Sequence, residues 1–156
     1  MNFETRELEG LTYGLATGED SEGHRAEWYK FGDEVFGPYR PAAYLKIIDR
    51  ELAICGLKPD GSPAIVIKGR ERPVDHRFEL IWALSGTDDF WSCAAGARQD
   101  IGGQLIDRDY VIVNGTVYGP LVCLEAFEHH RHQVKFYAMW YGDPEGVHLK
   151  WTTVNR

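Results

Sequence analysis

Val111-Ile112-Val113-Asn114-Gly115-Thr116-Val117-Tyr118-Gly119 is the stretch that decides the fold. Two β-branched runs flank Asn-Gly, a pair that tolerates the positive φ angles of a type I′ turn, so the segment is predicted to be a tight β-hairpin. The pattern recurs upstream: Trp28-Tyr29-Lys30-Phe31-Gly32-Asp33-Glu34-Val35-Phe36-Gly37-Pro38 carries it around Gly32, and Ile65-Val66-Ile67-Lys68-Gly69-Arg70-Glu71-Arg72-Pro73 around Gly69. The three glycines stand 37 and 46 residues apart, a period typical of blades and arrays. Onward from each, a second strand ends near Cys55, Cys93 and Met139 and runs into a predicted turn: Lys58-Pro59-Asp60-Gly61, Gly96-Ala97-Arg98-Gln99-Asp100, and Gly142-Asp143-Pro144-Glu145-Gly146.

Each copy therefore reads as strand, Gly turn, strand, Gly-Pro corner, strand, turn, strand. That is a four-stranded antiparallel meander. In the third copy the last two strands span about 121–127 and 133–140. Helical periodicity is lacking, and 17 glycines with 7 prolines disfavour long helices. The expected fold is all-β, built of repeated antiparallel meanders arranged as a partial propeller, a sandwich or a barrel. Residues 1–25 read as an acidic N-terminal segment, with Leu11-Thr12-Tyr13-Gly14-Leu15 supplying an edge strand, and 26–156 as the β-repeat domain.

The blocks Phe36-Gly37-Pro38-Tyr39 and Tyr118-Gly119-Pro120 resemble the repeats of TolB-type, WD40-like β-propellers over about residues 26–156. The resemblance implies blades. Three copies cannot close a ring, since propellers typically need at least four, so it further implies a homodimer completing a six-bladed assembly; otherwise the meanders pack as a sandwich or barrel.

The chain has 156 residues, 24 acidic and 17 basic, for a formal charge of −7. It is one domain's worth of sequence. No apolar run approaches the roughly 20 residues that span a bilayer, and the opening Met1-Asn2-Phe3-Glu4-Thr5 lacks a secretory layout. Cys55, Cys93 and Cys123 are too far apart for a zinc knuckle or redox pair, and each has apolar or small neighbours, as core cysteines do. No membrane association and a cytoplasmic location are expected. The net charge argues against direct nucleic-acid binding.

Charge is concentrated at one end: residues 1–34 hold nine acids against three bases, and the remaining 122 hold 15 against 14. Glu19, Asp20, Glu22, Glu27 and Trp28 are the candidate partner-binding residues, presenting a negative, aromatic surface to another protein, one with a basic groove built for nucleic acid. Five tryptophans and 11 arginines suit such recognition, although most tryptophans are expected in the core.

Candidate chemistry is sparse. Glu128, His129, His130 and His132, with Glu125 close by, are candidate metal ligands, zinc being the ion such side chains favour, but their spacing matches no common zinc pattern and a hairpin tip is the plainer reading. GxSxG, GxGxxG and GxxxxGK[ST] are absent. The carboxylate pairs Asp88-Asp89 and Asp107-Arg108-Asp109 are expected to bond local backbone in turns. The leading expectation is a non-catalytic protein-binding module acting as a stoichiometric inhibitor or adaptor. A metal-dependent hydrolase using the 128–132 loop and a small-ligand-binding β-barrel are the alternatives.

Overall fold

A computed structural model describes residues 1–145 and 148–156, and these contain fourteen strands and no helix. Three antiparallel sheets follow one another along the chain. The first is β1 (Glu4–Leu8), β2 (Leu11–Glu19), β3 (Arg25–Phe31) and β4 (Glu34–Tyr39), and the second β5 (Tyr44–Ile48), β6 (Glu51–Leu57), β7 (Pro63–Ile67) and β8 (Arg70–Arg72). The third has six strands: β9 (Leu80–Gly86), β10 (Trp91–Ile101), β11 (Gln104–Val113), β12 (Thr116–His129), β13 (Gln133–Trp140) and β14 (Leu149–Asn155). Among the described residues every neighbouring pair of strands is sequence-adjacent and antiparallel, and no sheet closes into a barrel.

The three predicted glycine hairpins form. Asn114 and Gly115 have φ of 48° and 89°, and Lys68 and Gly69 have 54° and 70°, the positive pair of a type I′ turn. Gly32 alone is positive in its turn, at 60°. Three further two-residue turns follow the same rule at Glu9-Gly10, Asp49-Arg50 and Gly102-Gly103.

The sheets stack as layers. Tyr29, Tyr39, Phe31 and Phe36 of the first pack on Leu52, Ile54, Ala64 and Val66 of the second. The opposite face of the second, with Cys55, Ile65 and Ile67, packs on Cys93, Ala95, Tyr110 and Ile112 of the third. The second sheet is thus buried on both faces, and its apolar runs Leu52-Ala53-Ile54-Cys55 and Ala64-Ile65-Val66-Ile67 are what two-sided burial requires. Cys55 and Cys93 fill core positions, as expected, whereas Cys123 on β12 is only half-buried.

The third sheet folds back on itself. β12 pairs with β11 through residues 116–121 and with β13 through 121–129. Its second half, with β13 and β14, lies over the outer face of β10 and β11, where Leu121, Val134, Phe136 and Ala138 pack on Val111 and Val113. The molecule therefore has four layers, the last with three strands.

Sheet membership corrects the expected copy boundaries. The meanders begin at β1, β5 and β9, so the predicted copies, which start at β3, β7 and β11, each begin mid-sheet. Residues 1–25 supply two strands of the first sheet. The 96–100 segment lies inside β10 and is no turn, and β4 and β12 run unbroken through Gly37-Pro38 and Gly119-Pro120, where corners were expected. Arg72, a charged residue of the predicted Gly69 hairpin, is only 9% exposed. Its guanidinium pairs with Asp88 and donates to Asp88 O at 2.9 Å and Ile67 O at 3.1 Å, tying the second sheet's edge to the third.

The layers obey one packing rule. In the hairpins of the first three, Tyr29 and Phe31, Ile65 and Ile67, and Val111 and Val113 face the following layer. Between them Ala64 and Val66, and Tyr110 and Ile112, face the preceding one. The first and third layers also share a finer motif, offset by 82 residues. Glu27 pairs with Tyr39 and Tyr29 with Phe36, just as Asp109 pairs with Leu121 and Val111 with Tyr118, with a bulge between each two pairs. The bulge holds Gly37-Pro38 in one and Gly119-Pro120 in the other, both cis.

Candidate functional site

The predicted partner-binding residues divide. Glu19 and Glu22 are exposed, as are Glu4, Glu7, Glu9, Asp33 and Glu34, so the acidic end presents seven exposed carboxylates, of which Glu4 accepts the Arg6 guanidinium at 2.7 Å. Asp20 is spent inside its own loop: one carboxylate oxygen accepts the Glu22 and His24 amides, both at 2.9 Å. The His24 amide is the main reason its pKa lies below the usual carboxylate value. Glu27 accepts the Tyr29 hydroxyl at 2.6 Å and the Ala42 amide at 3.2 Å, and the Trp28 ring lies over Gly18 and Gly37. Those three hold the fold.

The histidine tip also divides. His129 turns inward, with Nδ1 at 2.6 Å from Oγ of the fully buried Ser92 and its ring 4.9 Å from that of Phe90. His130 and Glu128 stay exposed, 3.5 Å apart, and His132 is exposed. Among the described residues, no three His, Cys, Asp or Glu side chains converge in a way that could hold a metal ion.

Burial pushes the His129 pKa down, helped by Lys46 and His130. His76, stacked on Phe78 at 4.4 Å, is lowered by burial in the same way. A histidine whose folded pKa lies below its unfolded value binds its proton more readily in the unfolded chain. Stability is therefore expected to be full above about pH 6.5 and to fall as the pH drops below it. His129→Asn should flatten that slope in urea titrations across this window. An unchanged slope would clear His129 of the effect.

One member of each carboxylate pair makes a fixed contact. Asp88 clasps Arg72 from the turn between β9 and β10. Asp107 and Asp109 lie within β11, not in a turn. Burial raises the Asp109 pKa, opposed by the Leu124 amide that it accepts at 3.1 Å. Glu27 accepts Ala42 across the same 15-residue span, so Asp109 repeats a backbone clasp already used in the first layer.

What remains is a groove that sequence reasoning missed. Three adjoining cavities of about 200, 340 and 290 Å³ share Glu79 in their walls, with Arg40, Leu80 and Arg98 each lining two. The Glu79 carboxylate accepts the Arg98 amide at 2.6 Å and its guanidinium at 2.6 and 2.8 Å, and this pairing holds its pKa below the usual carboxylate value. Leu80 and Leu105 stand beside this ion pair, 64% and 60% exposed. In sequence both read as ordinary strand leucines, and Glu79 and Arg98 are 19 residues apart, so no local pattern announces the site.

Compared with protein-family models, curated proteins and solved structures, the chain finds no match. No helix among the described residues is long and apolar enough to cross a membrane.

Proposed function

We propose that this protein is a non-catalytic binding module for another protein, acting as an inhibitor or adaptor. The observation that carries the reading is the groove around Glu79, where two leucines are more than half exposed beside a fixed Glu-Arg pair. Exposed apolar surface rimmed by polar and charged side chains marks interaction sites. The pair is already satisfied internally, so it shapes the groove and costs a partner no desolvation of a lone charge.

The acidic first sheet supplies the second part of the reading. Seven exposed carboxylates create a field that attracts a basic partner, of the kind whose groove otherwise holds nucleic acid, and raises its encounter rate. Contact at the leucines then sets how long it stays.

The test compares baits in lysate of the native host. The wild-type chain and Leu80→Met should retain the same basic protein, and Leu80→Asp with Leu105→Asp should lose it. Glu19→Lys with Glu22→Lys should slow association of the captured protein by about tenfold at low salt, with the difference shrinking as salt rises. Both exposed variants should keep wild-type stability, whereas Asp20→Lys should lose some by breaking its loop. Identical capture by wild-type and double-Asp baits would sink the groove reading.

A further inference from the structure

The packing rule leaves two faces without a neighbour. The first layer has no predecessor, yet Trp28 sits where Tyr110 sits in the third layer, and Tyr110 packs on the layer before it. On this outer face Phe3 lies over Gly14 and Trp28 over Gly18, and Val35 is 50% exposed. The fourth layer has no successor. Val134, Phe136 and Ala138 face the third layer, so the alternate residues Tyr137 and Met139 point the other way. There Tyr137 meets Trp151, pairing with it across β13 and β14 with rings 5.2 Å apart, and Trp151 is 51% exposed. Among the described residues, no packed core cluster joins the first layer to the fourth.

We propose that a second copy of this chain covers both faces. The Phe3, Trp28 and Val35 face of one copy docks on the Tyr137, Met139 and Trp151 face of the other, twice, about a two-fold axis. The contact continues the order that already joins layers within the chain: a preceding-layer face meets a following-layer face, here with Phe3 and Trp28 on one side and Tyr137 and Trp151 on the other. The faces differ, so the contact is head-to-tail, and such contacts close into rings only when the rotation per subunit allows it. Two chains of four layers make eight, within the range of about four to eight at which radial stacks of meanders close. The count replaces the six expected from three copies, because the fold-back of β12 adds a layer to each chain. None of the residues lining the groove around Glu79 belongs to either proposed contact face.

Sedimentation equilibrium of the full chain tests this. The expected mass is twice the 17.8 kDa of one chain. Trp151→Glu and Val35→Glu, both at half-exposed positions, should each weaken the dimer by about thirtyfold or more while keeping the wild-type circular dichroism spectrum. Mixing the two variants should restore part of the association, because one of the two contacts in the mixed pair is then wild-type on both sides. A wild-type monomer throughout the micromolar range would overturn the proposal. So would a dimer indifferent to both substitutions, or open polymers in place of a closed pair.

Discussion

Alanine at Gly86 is expected to destabilise the protein by about 4 kcal/mol, the sum of backbone strain and overpacking. Gly86 has φ of 106°, a conformation that side-chain-bearing residues rarely adopt, and an added Cβ would lie 2.7 Å from the His129 ring and overlap the Phe90 carbonyl oxygen. Neither neighbour can yield cheaply. The carbonyl accepts the Thr87 amide at 2.9 Å within the turn between β9 and β10, and the ring is held by Ser92. Urea denaturation should show the midpoint falling with little change in slope. A loss below about 1 kcal/mol would mean that the turn relaxes freely and that His129 is not fixed as described.

Gly37→Ala and Gly119→Ala should each cost about 3 kcal/mol, and by similar amounts. At Gly37 the new Cβ would meet Glu27 O and Trp28 Cδ1, both at 2.8 Å. At Gly119 it would meet Tyr110 Cδ1 at 2.6 Å and Asp109 O at 3.0 Å. Their φ angles, 135° and 144°, are nearly the same. Gly10→Ala is the control, since its φ of 84° is also positive but nothing lies within 4 Å of the added carbon; it should cost only about 1 kcal/mol. A severe effect at one bulge and none at the other would break the equivalence of the first and third layers, and with it the assignment of Trp28 to a preceding-layer face.

Much of the candidate site was hidden by what folding does with side chains. Glu27 and Trp28 belong to an acidic, aromatic stretch, but a carboxylate within reach of an unpaired amide and an indole beside two glycines are drawn into local contacts. His129 shares a short tract with His130 and His132, yet strand alternation sends it to the opposite face from Glu128 and His130, where Ser92 waits on β10. The sequence does carry one signal of the site: Glu27 to Gly37-Pro38 and Asp109 to Gly119-Pro120 keep the same spacing, and Glu27 and Asp109 make the backbone clasps.

Strand and turn chemistry is local, so the residues alone determined the all-β class, the hairpins at Gly32, Gly69 and Gly115 and the core positions of Cys55 and Cys93. A turn glycine needs only its own φ angle, and an apolar alternation needs only some face to bury. Which hairpins share a sheet is a different matter, because consecutive meanders can be divided at several turns with the same local pattern. That choice was made by tertiary packing: two-sided burial placed the second sheet in the middle, and the bulge at Gly119 let β12 leave β11 and carry β13 and β14 over the third layer's outer face. The same long-range packing left Leu80 and Leu105 uncovered, since a leucine is buried only if another layer arrives over it, and no stretch of sequence near either residue encodes that arrival.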